Sequence, residues 1–575
     1  MSTSPAIINP VLHGFHPDPS WMWHNSKAWL VTSSFGLVPG LPIYTSPDFI
    51  HWHLENSAID ENIAKRLFLA YIDSDNRGIF APSIRMINDL MVIVSTVVTV
   101  DVQRALNDGI NPAQLEAMQA ACGNFALVSQ DEGQSWQGPF WIHGARGNDP
   151  DIFLDNNGTV WWVCSHQSDN PQWQFQSDIV ISKLNTQTWS LEGPEHILWH
   201  GALEGATWAE SPHILQHDGW YYLLAAEAGT ERHHAQSVAR SHELTTPYEG
   251  NPRNPILTHR HLGESFPVQN VGHCDLLQDD NGRWWGICLG SRTVNGYSFM
   301  GREPFIFPVT WEHDWPVFAP NSGIVQRIIP TQPTTDQYAL STHTTTHATD
   351  YDSHAVEHIA TNTTHTDAST TPRWSTTVID NQYTLRLPWQ RDWQWTKVTD
   401  VDFSIIANPH TINEARIQQD RTRYAAIEIN QQVGTVRALI HNEDTINVLY
   451  EGTLTDNTDY AIRLNGATVE FLAHTYHDMH NKLDNTTAVH HANTIPTKNN
   501  FTHSISANTP ALVIQRGTPQ TRGIAAGGYP IYCKSNELPD NCTLLAQIDA
   551  SFLSTEVAGG YLGCLGGAHF VSSTH

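Results

Sequence analysis

The sequence lacks the features of an exported or membrane-spanning chain. Its first ten residues, MSTSPAIINP, contain neither a basic start nor an apolar run, and a secretory signal peptide needs both. No stretch approaches the roughly 18 consecutive apolar residues of a membrane helix. These absences predict a cytoplasmic protein that does not act at a membrane.

Cysteines and metal-binding motifs are scarce. The 575 residues include 7 cysteines, which are scattered and odd in number and therefore suit a reducing compartment better than a disulfide framework. Cys533 and Cys542 could pair, but free thiols are expected. The 33 histidines form no HExxH motif and no Cys/His pairs at zinc spacing, so most are expected at the surface.

Basic residues are few as well. The 30 Lys and Arg face 58 Asp and Glu, which gives a formal net charge of −28. Such an excess repels a phosphate backbone, so nucleic acid is not an expected partner. Apolar residues make up 40% of the chain, and a single hydrophobic core stops growing near roughly 250 to 300 residues, so two large domains are expected.

Helical periodicity is nearly absent before residue 330. β-rich runs such as AWLVTSSF and WYYLLAAEAG lie between turn residues, and one helix is predicted over about 111–121, with Pro112 in its first turn. A weak repeat, in which a strand ends in a polar turn with an aromatic residue, occurs at Trp52, Trp136, Trp189, Tyr248 and Trp311. The spacing favours four-stranded propeller blades, with an irregular β-sandwich as the alternative.

Composition divides the chain into three parts. Residues 1–330 are predicted to form a five-bladed β-propeller catalytic domain, and residues 331–372, rich in Thr and His, a linker or low-complexity loop. Alternation returns over residues 373–575, as in YAAIEIN and VRALIHN, and indicates a β-sandwich. The predicted fold class is all-β, a five-bladed β-propeller followed by a C-terminal β-sandwich.

Acids next to Pro or Gly lie just outside several predicted strands. They are Asp18 in HGFHPDPS, Asp149 in GNDPDIFLD, Glu210 in TWAESPHI, and Asp275 with His273 in VGHCDLL. Taken singly, each is explained better as an ordinary turn residue than as a catalytic acid. In a propeller, however, such positions converge on the central channel. Glycoside cleavage needs one protonated carboxyl for the leaving oxygen and one carboxylate that activates water or attacks carbon.

The motifs together resemble glycoside hydrolase family 43, in its β-xylosidase and α-L-arabinofuranosidase branch. They include HGFHPDPS, SSFGLVPGLPIYTSPDFIHW, FAPSIR, DPDIF, ESPHI, VGHCDLL, LGSR and GREPFIFPV, with DASFLSTEVAGGY in the second domain. The resemblance implies an exo-acting β-xylosidase that releases xylose from the non-reducing ends of xylooligosaccharides with inversion. An α-L-arabinofuranosidase or dual-activity enzyme is the alternative, and a non-catalytic carbohydrate-binding propeller is the remote one.

The resemblance also implies roles for individual polar residues. Asp18 would be the general base, Glu210 the general acid, and Asp149 the residue that tunes and orients that acid. Arg292 of LGSR would bind sugar hydroxyls beside the carboxylates. His273 would contact a water or a cation such as Ca²⁺ at the propeller centre, although a His that bridges blades through hydrogen bonds explains it equally well. No cofactor is required.

Four further residues are implied to hold the terminal sugar or close the pocket. Phe35 and Phe80 would form an aromatic wall, and Phe80 stands where relatives usually carry Trp. Thr230 would bind a sugar hydroxyl, and Tyr561 would reach from the sandwich to close the pocket, with core packing as its alternative. The segment HQSDNPQWQF departs from the relatives' pattern, which leaves the leaving-group side undefined. A homo-oligomer is also expected.

Overall fold

The computed structural model describes residues 5–72, 77–331, 395–397, 401–407, 414–420, 422–455, 457–475, 513–516, 520–524, 527, 530–533, 538, 542–554 and 563–565. Within these ranges no helix is long and apolar enough to span a membrane. The predicted linker lies almost wholly outside the described residues. The described residues are nearly all in strands or turns, as the all-β prediction requires.

Strands of the first 331 residues form five consecutive antiparallel sheets and one terminal pair. The pair joins β1 (Ala6–Ile8) to the last strand of this region. The first sheet contains β2 (Ser20–His24), β3 (Lys27–Val31), β4 (Gly40–Ser46) and β5 (His53–Ile59). The second contains β6 (Gly78–Ile79), β7 (Ser83–Ile87), β8 (Leu90–Val98), β9 (Asn124–Ser129) and β10 (Gln137–Trp141).

The next three sheets follow in chain order. The third contains β11 (Asn148–Leu154), β12 (Val160–Gln167), β13 (Ser177–Asn185) and β14 (Ser190–Trp199). The fourth contains β15 (Ala209–His217), β16 (Trp220–Glu227), β17 (Ala235–Ser241) and β18 (Glu249–Gly250). The fifth contains β19 (Val268–Gln278), β20 (Trp284–Val294), β21 (Tyr297–Ser298), β22 (Glu303–Glu312) and β23 (Trp315–Phe318), after which β24 (Ile328–Pro330) pairs with β1.

The five sheets are arranged in a closed cycle. Strands β2, β7, β11, β15 and β19 contact one another in that order, and β19 contacts β2 again. Five apolar clusters repeat the pattern, because each lies between two consecutive sheets and the fifth joins the last sheet to the first. Burial of these side chains is the main force that holds neighbouring sheets together. Strands β2, β7, β11, β15 and β19 are therefore the inner strands of the cycle.

The aromatic repeat marks one corner of every sheet. Trp52, Trp136, Trp189, Tyr248 and Trp311 each lie where the chain passes to the outermost strand: β5, β10, β14, β18 and β23. Side chains of this repeat form hydrogen bonds with the backbone of the preceding turn. Trp52 and Trp136, for example, donate their Nε1 hydrogens to the carbonyls of Phe49 and Gly133 at 3.1 and 3.2 Å.

Within the described residues, three short α-helices and two 3-10 turns, at Leu69–Tyr71 and Ala550–Leu553, interrupt the β-structure. The helix predicted over about 111–121 is confirmed as α3 (Pro112–Ala120), whereas α1 (Glu61–Arg66) and α2 (Val102–Asn107) were not predicted. Each of these has only six residues, too few to show a helical period. In α3 (Pro112–Ala120) the Asn111 side chain accepts from the Ala113 amide at 3.0 Å, and Pro112 lies in the first turn.

The later strands form two larger sheets and a hairpin. Their bounds are β25 (Trp395–Lys397), β26 (Asp402–Ala407), β27 (Glu414–Asp420), β28 (Arg423–Asn430), β29 (Thr435–Asn442), β30 (Thr445–Thr453), β31 (Thr458–Asn465), β32 (Thr468–Thr475), β33 (Val513–Arg516), β34 (Gln520–Ile524), β35 (Pro530–Cys533), β36 (Cys542–Asp549) and β37 (Gly563–Leu565). The orders are β25-β37-β27-β28-β29-β30 and β33-β26-β31-β32-β36, with β34-β35 apart.

The two larger sheets share one apolar core with a piece of the first region. Phe299 and Met300, which follow β21, are buried in the same cluster as Ile417, Ile427 and Phe471. The cluster therefore fixes the segment that leads directly into β22. Arg302 lies between this segment and β22.

Candidate active site

The functional side chains come from the starts of the inner strands, where the backbone bends. Asp149 and His273 have left-handed φ angles of 52° and 57°, at shifts in the registers of β11 and β19. Glu210 precedes Ser211, whose φ is 52°, at a similar shift in β15. Asp18, with a φ of 54°, lies just before β2. Such bulges re-aim side chains and are frequent beside active sites.

These strand starts open into one cavity of about 370 Å³, a volume within the usual range of small-ligand sites. Seven of the nine residues predicted from the sequence line it: Asp18, Asp149, Glu210, Phe35, Phe80, Thr230 and His273. The described lining residues all fall between 18 and 302. Tyr561 lies outside the described residues, so closure of the cavity by the second domain stays a prediction.

The arginine beside the acids is Arg302, which corrects the choice of Arg292. Arg302 donates through Nη1 to Oδ1 of Asp18. Arg292 instead donates through Nε and Nη2 to the Glu303 carboxylate at 2.6 and 2.7 Å, and it is not among the described residues that line the cavity. The LGSR and GREP motifs lie on facing strands of one hairpin, and sequence alone does not say which arginine faces the ring centre.

Burial and mutual repulsion raise the pKa values of the three acids to different extents. Burial raises the pKa of Glu210 well above its usual range, and the charges of Asp149 and Asp18 raise it further. Burial raises the pKa of Asp149 to about 6, opposed by the hydrogen bond from Asn148 and reinforced by Asp18. The three acids therefore share a site in which not all three can be ionised at the same time.

Asp18 is the acid with the strongest support for its negative charge. Burial raises its pKa, but the Arg302 guanidinium and a hydrogen bond from Ser33 both lower it. Ser33 Oγ donates to Asp18 Oδ2 at 2.6 Å. No such hydrogen bond lowers the pKa of Glu210. The environments therefore make Asp18 the first of the pair to ionise and Glu210 the last to lose its proton, which separates base from acid.

An aromatic wall lies on the Asp18 side of the cavity. The Phe35 ring centroid lies 5.5 Å from that of Phe80 and 5.6 Å from that of Phe15. The Arg302 guanidinium carbon lies 5.3 Å from the Phe35 ring centroid, within cation–π range. The wall therefore offers an apolar ring face next to a charged fork, an arrangement that suits a sugar with CH faces and hydroxyl edges.

Several buried polar atoms of the cavity have no hydrogen-bond partner among the described residues. They are Thr230 Oγ1 and the Nε and Nη2 atoms of Arg302, although the two side chains are only 8% and 5% exposed. Buried polar groups are normally satisfied, and exceptions call for a partner outside the protein. A bound polyhydroxyl ligand supplies such partners.

His273 lies near Asp18, with 3.9 Å between Nδ1 and Oδ1. Burial holds the pKa of His273 well below its usual value, and the nearby His213, His234 and Arg302 lower it further, which favours the neutral ring. Among the described residues no three His, Cys, Asp or Glu side chains are grouped to hold a metal ion. One imidazole does not fit calcium, which needs six to eight oxygen ligands, and the Ca²⁺ ion stays a prediction.

A second polar cluster, the Arg85 cluster, was missed from the sequence except for Asp275, which lies here and not among the described residues that line the cavity. It consists of Ser20, Arg85, Asp151, His213 and Asp275, one residue from each inner strand. Arg85 donates to Asp151 Oδ2 at 2.8 Å, to Asp275 Oδ2 at 2.9 Å and to Ser20 Oγ at 3.2 Å. The cluster ties the five strands together. Its sequence signal is a polar residue within an apolar inner strand, as in FAPSIR.

The chain matches the family model of glycosyl hydrolases family 43 over residues 7–316. It is 38% identical over 318 residues to a xylosidase/arabinosidase of Butyrivibrio fibrisolvens, a match that covers 55% of this chain and 57% of that protein. It is 32% identical over 321 residues to a non-reducing end alpha-L-arabinofuranosidase of Bacteroides ovatus, over 55% and 54% of the two chains. The chain thus matches little more than half the length of these relatives.

Solved structures resemble almost the whole chain. A GH43_12 protein from a capybara gut metagenome superposes with a TM-score of 0.66 at 19% identity, covering 98% of this chain and 95% of that one. A xylan beta-1,4-xylosidase from Bacillus halodurans superposes with a TM-score of 0.61 at 18% identity, covering 97% and 98%. At these identities the likeness establishes the fold alone. The match to the family model spans more than half of the sequence, and the chain therefore belongs to glycosyl hydrolases family 43.

Proposed function

We propose that the chain is an exo-acting β-xylosidase that releases xylose from the non-reducing ends of xylooligosaccharides with inversion. The observation that carries the proposal is the cavity in which Asp18, Asp149 and Glu210 converge on Arg302. Relatives named xylosidase/arabinosidase and beta-xylosidase support a pentose substrate.

The proposed reaction is a single displacement. Ionised Asp18 accepts a proton from a water molecule while the water oxygen forms a bond to the anomeric carbon. Protonated Glu210 donates its proton to the glycosidic oxygen, which keeps the electron pair of the breaking C–O bond. Asp149 raises the pKa of Glu210 and so keeps that proton in place until transfer. The products are xylose with inverted anomeric configuration and an oligosaccharide shortened by one residue.

The terminal sugar is proposed to lie between the aromatic wall and the unpartnered polar groups. Phe35 and Phe80 would contact its CH face. Thr230 Oγ1 and Arg302 Nε and Nη2 would exchange hydrogen bonds with its hydroxyls. This arrangement positions the anomeric carbon between Asp18 and Glu210.

We also infer that the five sheets are the blades of a five-bladed β-propeller and that the two later sheets form a β-sandwich. The closed cycle of inner strands and the five shared cores support the propeller. The core shared by the later sheets supports the sandwich. The active site would then occupy the propeller axis, which explains why residues from four inner strands share one cavity.

An α-L-arabinofuranosidase or a dual-activity enzyme is the second candidate, because one relative carries that activity in its name. Rates on 4-nitrophenyl β-D-xylopyranoside and 4-nitrophenyl α-L-arabinofuranoside separate the two. The proposal predicts a higher kcat/KM on the xyloside and turnover of xylobiose. A higher value on the arabinoside would favour the second candidate, and no turnover of either would favour a non-catalytic binding protein.

The stereochemical course is tested separately. Proton NMR during hydrolysis of xylobiose distinguishes the first-formed anomer of xylose before mutarotation. Inversion of a β-linkage predicts that α-xylose appears first. Initial formation of β-xylose would contradict a single displacement.

A further inference from the structure

Two aromatic side chains stand exposed beside the cavity. Phe175 and Trp208 are each 44% exposed, whereas the other Phe, Tyr and Trp side chains for which the structure gives the exposure are buried or half-buried. Trp208 lines the cavity, and the two ring centroids lie 5.5 Å apart at an interplanar angle of 41°. Exposed apolar surface at the rim of a polar cavity is typical of a binding surface.

The pair is held in a conformation that its own residues disfavour. Phe175 and Trp208 have left-handed φ angles of 61° and 46°, a region that bulky residues rarely occupy. The Trp208 amide donates to the Phe175 carbonyl at 3.0 Å. The Trp208 ring also packs against Gly229, where a Cβ would lie 3.2 Å from the ring carbons. Strain that the surrounding structure maintains is typical of functional positions.

The loop before Trp208 is anchored from beneath. The Glu227 side chain is buried and accepts from the amides of Ala202 and Leu203 at 3.0 and 2.8 Å. Trp173 Nε1 donates to the Ala206 carbonyl at 2.6 Å. These contacts fix the loop before any ligand binds, which reduces the entropy lost on binding.

The position of the pair indicates which part of a substrate it would contact. Trp208 lies two positions before the acid Glu210, directly ahead of β15. On the other side, Phe35 contacts both Phe80 and Arg302, the arginine that bonds Asp18. The acid protonates the leaving oxygen, so the leaving sugar lies on its side of the bond.

From this arrangement we propose that Phe175 and Trp208 form a stacking platform for the sugar residue on the leaving side of the scissile bond. The platform takes a pyranose ring of an oligosaccharide, whose CH face packs on the aromatic rings. This inference rests on the proposed glycosidase function. It also gives a role to the segment HQSDNPQWQF, which contains Phe175.

The test compares two substrates that differ only in the leaving group. Xylobiose carries a leaving sugar, whereas β-D-xylopyranosyl fluoride carries none. In Trp208→Ala the ratio of kcat/KM for xylobiose to kcat/KM for the fluoride is expected to fall about tenfold. Trp208→Phe, which keeps a ring, is expected to recover most of that ratio, and Phe175→Ala to lower it less than Trp208→Ala. An unchanged ratio in Trp208→Ala overturns the platform.

A matched control and a binding measurement separate this inference from the proposed function. Ile197→Ala removes an apolar side chain that is 48% exposed on β14, away from the lining, and is expected to leave the ratio unaltered. If the wild-type protein hydrolyses no xyloside or arabinoside, the proposed function fails. The platform is then tested by titrating xylotriose into wild type and Trp208→Ala. Weaker binding by the variant supports it, and equal binding overturns it.

Discussion

Two arginines at the ring centre hold carboxylates in opposite ways. In the Arg85 cluster the guanidinium bonds Asp151 and Asp275. Although burial alone would raise it, Arg85 and His213 hold the pKa of Asp275 below its usual value. In the cavity one guanidinium, Arg302, faces Asp18, Asp149 and Glu210, and the pKa of each acid is raised.

The contrast arises from neighbouring positions on the same strands. Asp149 and Asp151 belong to β11, and His273 and Asp275 to β19, so each pair is two residues apart. The residue nearer the strand start has a left-handed backbone and faces the cavity, whereas its partner joins the Arg85 cluster. The fold thus places a cluster in which one guanidinium bonds two carboxylates next to a cluster in which one guanidinium bonds Asp18 and faces three acids. This arrangement is expected where activity competes with stability.

The largest expected effect comes from Glu210→Gln. The amide cannot donate the catalytic proton, so kcat on xylobiose should fall by about 10³-fold. The fall in kcat on 2,4-dinitrophenyl β-D-xylopyranoside should be far smaller, because that leaving group needs little protonation. Glu231→Gln changes another carboxylate of the same cavity and should not alter the ratio of the two rates. Equal loss on both substrates by Glu210→Gln would remove Glu210 from the acid role.

Asp275→Asn tests whether the Arg85 cluster stabilises the fold. Arg85 would lose one of its two carboxylate partners at a buried position, which costs about 3 kcal/mol of unfolding free energy. Urea unfolding measures the loss, with Asp280→Asn at an exposed site in the following turn as the control. A stability equal to that of the control would show that the Arg85 cluster does not stabilise the fold.

Asp149→Asn should raise the free energy of unfolding, whereas Asp275→Asn should lower it. The folded-state pKa of about 6 lies above the ordinary 3.8, so the carboxyl's favourable contribution is complete below pH ~4 and is lost as pH rises through 6. At pH 8 the variant should therefore be more stable than wild type, by about 3 kcal/mol, with the difference vanishing near pH 4. Urea midpoints at the two pH values test this. A variant less stable than wild type at pH 8 would contradict the proposed difference between the Arg85 cluster and the acids of the cavity.

Ser33→Ala gives the smallest effect and concerns the base. Loss of the hydrogen bond to Asp18 Oδ2 disfavours the ionised form and raises the pKa of Asp18. The acidic limb of the kcat/KM profile should therefore move up by about one pH unit. Ser34→Ala removes a neighbouring buried hydroxyl that accepts from the Leu41 amide instead. The acidic limb of its kcat/KM profile should stay in place. A shift of equal size in both variants would refute the specific role of Ser33.

The acids could be predicted from sequence because short motifs carry them. HPDPS, DPDIF and AESPHI each combine an acid with turn residues, and the structure brings all three acids to one cavity. The aromatic corners were equally visible, because their spacing repeats. Helix α3 was found through Asn111 and Pro112, whereas α1 and α2 offered no period long enough to detect.

Other features depend on which way a side chain faces, which sequence does not encode directly. Arg292 and Arg302 stand ten residues apart in similar glycine-containing motifs, and they differ in their partners, which are Glu303 for Arg292 and Asp18 for Arg302. Arg85 resembles an ordinary strand residue until the closed cycle of strands brings it to Asp151 and Asp275. Trp208 looks like a core residue, and its exposure follows from a left-handed backbone that no pattern announces.

The most direct test of the coupled acids is the basic limb of the kcat/KM profile on xylobiose, which reports the pKa of Glu210. Part of the rise of that pKa comes from the charge of Asp149. The limb in Asp149→Asn should therefore lie about one pH unit below that of wild type. A limb that stays in place or moves to higher pH would show that Asp149 does not hold the proton on Glu210.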